Sequence, residues 1–301
     1  MLDPRLLYTF NPELWEAVRG TQPALLHLLD GYIDAGAVTH TTSHYLLEVC
    51  EHEVLVEFDH DQLHDYRSRR PQMVFDTNHW VSMTDYSLVI HRLFDLNGKP
   101  FLLFTGPEPD TQWNRTAAAV LGIAERLGVS RMLTVAGVPM AVPHTRPTLV
   151  TAHSTDPATV SGNPMWIDRV QLPGSFSHVL EFRAGQAGIL GQGFVAHVPH
   201  YLAQASFPQA CEAVLRRISD AAGLELPMAE LAERGAANLA TIESETAEDA
   251  DFPAVVQALE EQYDRLSSSG AASVPSAEEI GAAVEQFLAE QDPPQPPDFR
   301  R

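Results

Sequence analysis

At 301 residues, 45% of them apolar, the chain is long enough for one large domain or for a domain with an appendage. A formal net charge of −21, with Lys99 as the single lysine, excludes general attraction to a nucleic-acid backbone or an anionic membrane. Cys50 and Cys211 are too far apart for a paired motif, no apolar run nears the ~20 residues of a bilayer span, and the first residues lack a basic-then-apolar leader; a cytoplasmic protein is expected.

Met1 to Thr21 reads as an irregular lead-in with a short helix at Pro12 to Val18. Ala24 to Leu29 is a nearly unbroken apolar run, too short for a helix and stopped by Asp30-Gly31. It predicts a strand buried on both faces of a parallel sheet. Asp34 then caps a helix to Cys50, with Ala35, Val38, Thr42, Tyr45, Leu46 and Val49 on the sheet-facing side. Glu53 to Phe58 is a second strand, closing a βαβ unit with the usual right-handed crossover.

His60 to Arg70 is a charged connection, and Met73 to Phe75 a short edge strand. Ser87 to Phe94 and Phe101 to Phe104 flank Asn97-Gly98, a hairpin signal. A helix over Thr111 to Leu127 takes Asp110 as its N-cap, and Arg131 to Ala136 is the next buried strand. Gly137 to Pro147 is a proline-stiffened loop and Thr148 to Ala152 a strand; a loop with one short element runs on to about Gly174. Phe176 to Phe182 reads as helix or strand, with helix favoured, Gly193 to Val198 as strand, and Pro208 to Ala222 as an amphipathic helix stopped by Gly223. The fold class expected for residues 1–224 is α/β, with a central mixed, mostly parallel sheet flanked by helices.

Residues 225–301 change character, with seventeen acidic and four basic side chains. They read as an acidic helical extension. One segment is marked by Leu231, Leu239 and Ile242, and a second by Phe252, Val255, Val256, Leu259, Tyr263 and Leu266. A flexible joint follows at Ser267 to Gly270, then a third helix with a Ser276/Glu279 capping box and a Pro-rich, disordered end.

Asp30, Asp34, Glu108 and Asp110 follow strands and precede helices, which places them at the carboxyl edge of the sheet, where open α/β folds take ligands. They offer either a site for a cation or hydroxyl groups, or plain helix caps and turns, and capping alone explains both Asp34 and Asp110. Carboxylates gathered there also repel phosphate. Trp113 stands beside them, and His144 and Arg146, held between Pro143 and Pro147, are either an anion-binding pair or a decorated bend. His40, His44, Glu48 and His52 recur every four residues, but without HExxH or a second ligand cluster they read as a solvent or subunit face. Gly185, Gly188, Gly191 and Gly193 precede a strand, the wrong order for a phosphate cradle, and read as turn chemistry. No nucleophile elbow or Walker sequence occurs, so neither a catalytic residue nor a cofactor is assigned.

Three ordered segments, Asp30-Gly-Tyr-Ile-Asp-Ala-Gly36, Thr105-Gly-Pro-Glu-Pro-Asp-Thr-Gln-Trp113 and His197-Val-Pro-His-Tyr-Leu202, with Pro143-His-Thr-Arg-Pro147, resemble the actinobacterial branch of the proteasome assembly chaperone family, second-subunit type. The resemblance spans roughly residues 20–225. It implies an α/β fold similar to nucleoside phosphorylases, a homotrimer, and proteasome subunits or another protein as partner, with no active site to carry over. The chain ends Phe299-Arg300-Arg301, without the penultimate tyrosine of tail-docking proteasome partners. The expected function is a non-enzymatic assembly or interaction factor. The alternative is a small-molecule-binding protein or hydrolase using Asp30, Asp34, Glu108 and Asp110.

Overall fold

Eight strands make one sheet in the order β1-β3-β6-β7-β2-β8-β10-β9. In chain order the elements are β1 (Tyr8–Phe10), α1 (Pro12–Val18), β2 (Ala24–Asp30), α2 (Val38–Val49), β3 (His52–Phe58), β4 (Met73–Asp76), β5 (His79–Met83), β6 (Val89–Phe94), β7 (Pro100–Pro107), α3 (Trp113–Leu127), β8 (Arg131–Met140), β9 (Val150–Ser154), α4 (Phe176–Gln186), β10 (Leu190–Pro199), α5 (Pro208–Ala222), α6 (Ala229–Thr246) and α7 (Phe252–Ser269). This computed structural model describes residues 2–160, 171–247 and 249–269.

The sheet is mixed, as expected. Its four central strands, β7, β2, β8 and β10, are parallel. The flanking pairings are antiparallel, β1 with β3, β3 with β6, and β6 with β7 on one side and β9 with β10 on the other. Parallel pairing is thus confined to the centre, where helices cover both faces. β2 shows why its run is apolar throughout. Leu26 and Leu28 enter one core layer with α2 and α5, while Leu25 and Leu29 enter the opposite layer with α3 and α4. Each such leucine is worth ~1.5–3 kcal/mol relative to exposure, so the strand is committed to the middle of the molecule.

The expected βαβ unit is split. β3 runs the same way as β2 but lies beyond β6 and β7, which occupy the positions between them. The β6–β7 hairpin closes at Asn97-Gly98 as predicted, with Gly98 at φ +75°. The Asp95 carboxylate tightens the turn by accepting the amides of Asn97, Lys99 and Glu225. Lys99 caps α5 by donating to the carbonyls of Ala222 and Gly223 at 3.1 and 2.8 Å, which suits a cation to a helix C-terminus.

Several local expectations change, among them the start of the Gly137 to Pro147 loop, where β8 stays a strand to Met140. β4 is a strand, but among the described residues it pairs only with β5, in a separate two-stranded ribbon, instead of forming an edge of the main sheet. α2 begins at Val38, after a 3₁₀ turn at Ala35–Ala37 that Asp34 starts. α7 stays helical to Ser269, through most of the expected joint at Ser267 to Gly270. The third helix of the extension and the Pro-rich end lie outside the described residues.

Candidate functional site at the carboxyl edge of the sheet

Because β7, β2, β8 and β10 are parallel, their carboxyl ends open on one edge, and the predicted site residues occupy the loops that leave it. Asp30 ends β2 and pairs with His40 Nδ1 at 3.1 Å, both side chains about half exposed. Asp34 accepts the amides of Thr39 and His40 at 2.7 and 3.0 Å. These are the second and third residues of α2, so Asp34 caps that helix from outside it. The N-cap position itself, Ala37, is left-handed at φ +50° and has no acceptor side chain. Burial pushes the Asp34 carboxyl up, against the pull of those amides.

Glu108 accepts the amide of Phe176, the first residue of α4, at 2.8 Å, and its own amide donates to the carbonyl of Asp30 at 3.0 Å. Burial raises the pKa of this carboxyl as well. Gly31 sits against it, where an added Cβ would lie 3.7 Å from Oε2. Asp30 is therefore adjacent to both Asp34 and Glu108, close enough for its charge to influence Asp34 and joined to Glu108 through the backbone. Trp113 roofs the next step, its indole donating to the Pro109 carbonyl and its ring meeting Phe176 edge-on at 5.9 Å.

Asp110 does not cap α3. That helix starts at Trp113 after a left-handed Gln112 that provides no side-chain cap. Asp110 instead turns to the 60s loop, where it accepts the Asp65 amide at 2.7 Å and pairs with Arg69 at 2.9 Å and His64 at 3.3 Å. A loop that must be tied down from His60 to Arg70 outcompetes the cap for this carboxylate.

His144 and Arg146 lie at the β8–β10 side of the edge and serve the extension. His144 bonds the Tyr201 hydroxyl through its amide and Nδ1, at 3.0 and 2.8 Å. Phe252 of α7 completes the group, stacked on His144 at 6.1 Å and edge-on to Tyr201 at 5.2 Å. Arg146 grips Asp264 with two bonds and Glu260 with a third, which raises its already high pKa further. Thr145 also donates to Glu260, and the Tyr263 hydroxyl to the Pro147 carbonyl at 3.0 Å. The cation of the pre-stiffened loop is thus paired with carboxylates of α7.

The histidine face of α2 points outward as the helical wheel requires, with His40 and His44 exposed and their rings 4.2 Å apart. Glu48 binds Arg234 of α6 at 2.8 Å. One polar cluster escaped sequence reasoning. Under α4, Glu181 pairs with His153 of β9 at 2.9 Å. His178 and the wholly buried His27 lie close enough to influence it. Burial raises the Glu181 pKa, but the His153 hydrogen bond and the nearby imidazoles outweigh it, for a net lowering. Among the described residues, both ring nitrogens of His27 lack a hydrogen-bond partner, and burial pulls its pKa down to about 4.

The glycine series makes room for this cluster. A Cβ on Gly191 would meet Glu181 Cγ at 2.9 Å, and one on Gly193 would overlap the His153 ring. Only Gly188 of the four has a positive φ, so close approach, more than turning, explains the series. The available signals were the single polar residue inside the β2 run and the glycines themselves. Among the described residues no group of three or more His, Cys, Asp or Glu is arranged to hold a metal. Burial pushes the Cys50 and Cys211 thiols up to about 11 and about 12, so both stay protonated and are poor nucleophiles.

The family model for the PAC2 family matches residues 28–245. The chain belongs to the PAC2 family. A Mycobacterium tuberculosis protein of unknown function is 39% identical, with 95% of this chain and 96% of that one covered at a TM-score of 0.83. A Corynebacterium glutamicum protein of unknown function is 34% identical over 87% and 98%, with a TM-score of 0.80. A Mycobacterium tuberculosis homologue of a proteasome-assembly chaperone is 24% identical over 77% and 99%, with a TM-score of 0.70, which shows the shared PAC2 fold. No functionally curated protein matches this PAC2 chain. None of its described helices is long and apolar enough to cross a membrane.

Proposed function

We propose that this PAC2 chain is a non-enzymatic assembly or interaction factor whose partner is a proteasome subunit or a related protein. PAC2 membership supports the reading, as does the fold shared with a proteasome-assembly chaperone homologue. The observation that carries it is the use made of the rim. Asp34 and Glu108 cap helices, Asp110 fastens a loop, and Arg146 binds α7, so the polar groups that would serve a reaction hold the protein together. A cytoplasmic location, self-association as a trimer, and a 1–224 core with a separate 225–301 extension belong to the same proposal.

Affinity capture of the full chain from its native host tests it. Stoichiometric recovery of proteasome subunits is the expected result, and recovery of no stable protein partner overturns it. A thermal-shift panel of nucleosides, sugars and divalent metals addresses the small-molecule alternative. A flat panel is expected, whereas a stabilisation lost in Asp34→Ala with the fold intact favours a ligand site.

A further inference from the structure

We infer that the start of α4 is an acid-sensitive latch on the carboxyl edge of the sheet, opened by protonation of His178. α4 begins with a capping box, in which the N-cap side chain and the third helical residue satisfy each other's backbone amides. A Ser cap is ordinarily matched by Glu or Gln at the third position; here it is matched by a histidine. The Ser175 hydroxyl accepts the His178 amide at 3.3 Å, and the Ser175 amide donates to His178 Nδ1 at 3.3 Å. The same hydroxyl lies 3.0 Å from Nδ1. A backbone N–H can only donate, so Nδ1 carries the lone pair and the ring proton sits on Nε2. A second proton has only Nδ1 to occupy. Its arrival removes the acceptor of both contacts and sets a cation at the positive end of a helix, where it is disfavoured.

What the cap holds is the rim. Phe176, the first residue of α4, is wholly buried, meets Trp113 edge-on, and gives its amide to Glu108. Just before it, the Tyr32 hydroxyl donates to the Pro173 carbonyl. With the cap lost, only these two contacts fasten the entry to α4. Among the described residues, the ionisable groups facing His178 are Glu181 of α4, His153 of β9 with its ring 6.5 Å away, and His27 of β2 within electrostatic reach. Arg183 turns away to Gln186 and Asn114. His178 is exposed, so protons reach it, yet partial burial of its ring and the His153 imidazole lower its pKa from 6.5, against the pull of Glu181. An uncapped ring therefore takes its proton first: the latch is fully closed above pH 6.5 and is lost as pH falls from there. Glu108 titrates in the opposite sense, because burial raises its carboxyl.

Hydrogen exchange of the full chain at pH 7.5 and 5.5 tests this, read by mass spectrometry as protection factors so that the intrinsic pH dependence divides out. The wild type is expected to lose ~tenfold in protection over residues 173–180 at the lower pH, with α5 unchanged. His178→Gln supplies the ordinary capping-box partner without a titratable ring and keeps its protection at both pH values. Glu108 and Glu181 are common to both proteins, so the difference belongs to His178. Ser175→Ala removes the cap from the other side, and shows low protection already at pH 7.5 with a smaller pH response. A wild type without the loss, or a loss that persists in His178→Gln, overturns the latch. A loss shared equally by β2 and α5 is global unfolding and overturns it as well.

Discussion

Arg146 holds Asp264 in a bidentate fork, Nε to Oδ1 at 3.0 Å and Nη2 to Oδ2 at 2.9 Å, across 118 residues of chain. This fork, with Phe252 set between His144 and Tyr201, attaches the acidic extension to the carboxyl edge of the sheet. Both side chains of the fork are substantially solvent-exposed, so salt weakens it. Arg146→Ala is expected to speed tryptic cleavage within α7 several-fold with little change in overall Tm, and added salt to do the same to the wild type. Limited proteolysis read by mass spectrometry checks both. Equal cleavage rates would show that α7 is held by other contacts.

Acid stability should fall in a defined window. His27 and His197 are buried, and burial lowers both pKa values to about 4, against about 6.5 in an unfolded chain. The unfolded state therefore binds more protons between these values. Stability is fully present above pH 6.5 and is lost as pH falls towards 4, by on the order of 3 kcal/mol for a fully buried imidazole such as His27. Tm measured from pH 7.5 to 4.5 should decline, and His27→Gln should flatten the decline relative to its own value at pH 7.5. An identical slope in that variant would remove His27 from the account.

Asp110 is a fastener rather than a helix cap, and the two roles predict different outcomes. Asp110→Ala leaves the Asp65 amide, Arg69 and the buried His64 without their acceptor, at a cost of about 1–3 kcal/mol. Hydrogen exchange should rise in residues 60–70 and stay unchanged at the start of α3. Faster exchange confined to α3 would restore the capping role.

Two glycines with similar crowding should respond differently to alanine. A Cβ at Gly137 would overlap the backbone carbonyl of Ala35, in the turn that Gly36 makes at φ +69°. Neither backbone can move without shifting β8 or α2, so Gly137→Ala should cost several kcal/mol, at the severe end for point mutants. At Gly193 the obstacle is the His153 ring, whose side chain is 39% exposed and free to swing outward. Gly193→Ala should cost less, and should break the His153–Glu181 pair. Urea denaturation of the two variants, with the His153 ring resonances followed by NMR, separates the cases.

The sequence by itself determined the local elements. Its apolar periods placed β2, α3, β8, α4 and α5 to within a few residues, and Asn97-Gly98 marked the hairpin, because backbone preference and one-sided burial act over short windows. It also located the rim, since loops after parallel strands gather at one edge whatever their neighbours. Tertiary structure alone decided who pairs with whom. β3 is separated from β2 by two strands because the β6–β7 hairpin claims the space between, a choice that no local period encodes. The use of Asp110 for the 60s loop, of Arg146 for α7, and of glycines to seat Glu181 and His153 depended on segments tens to more than a hundred residues away. A charged or small side chain leaves its partner open in sequence; only packing, with the cost of burying a charge alone, selects one.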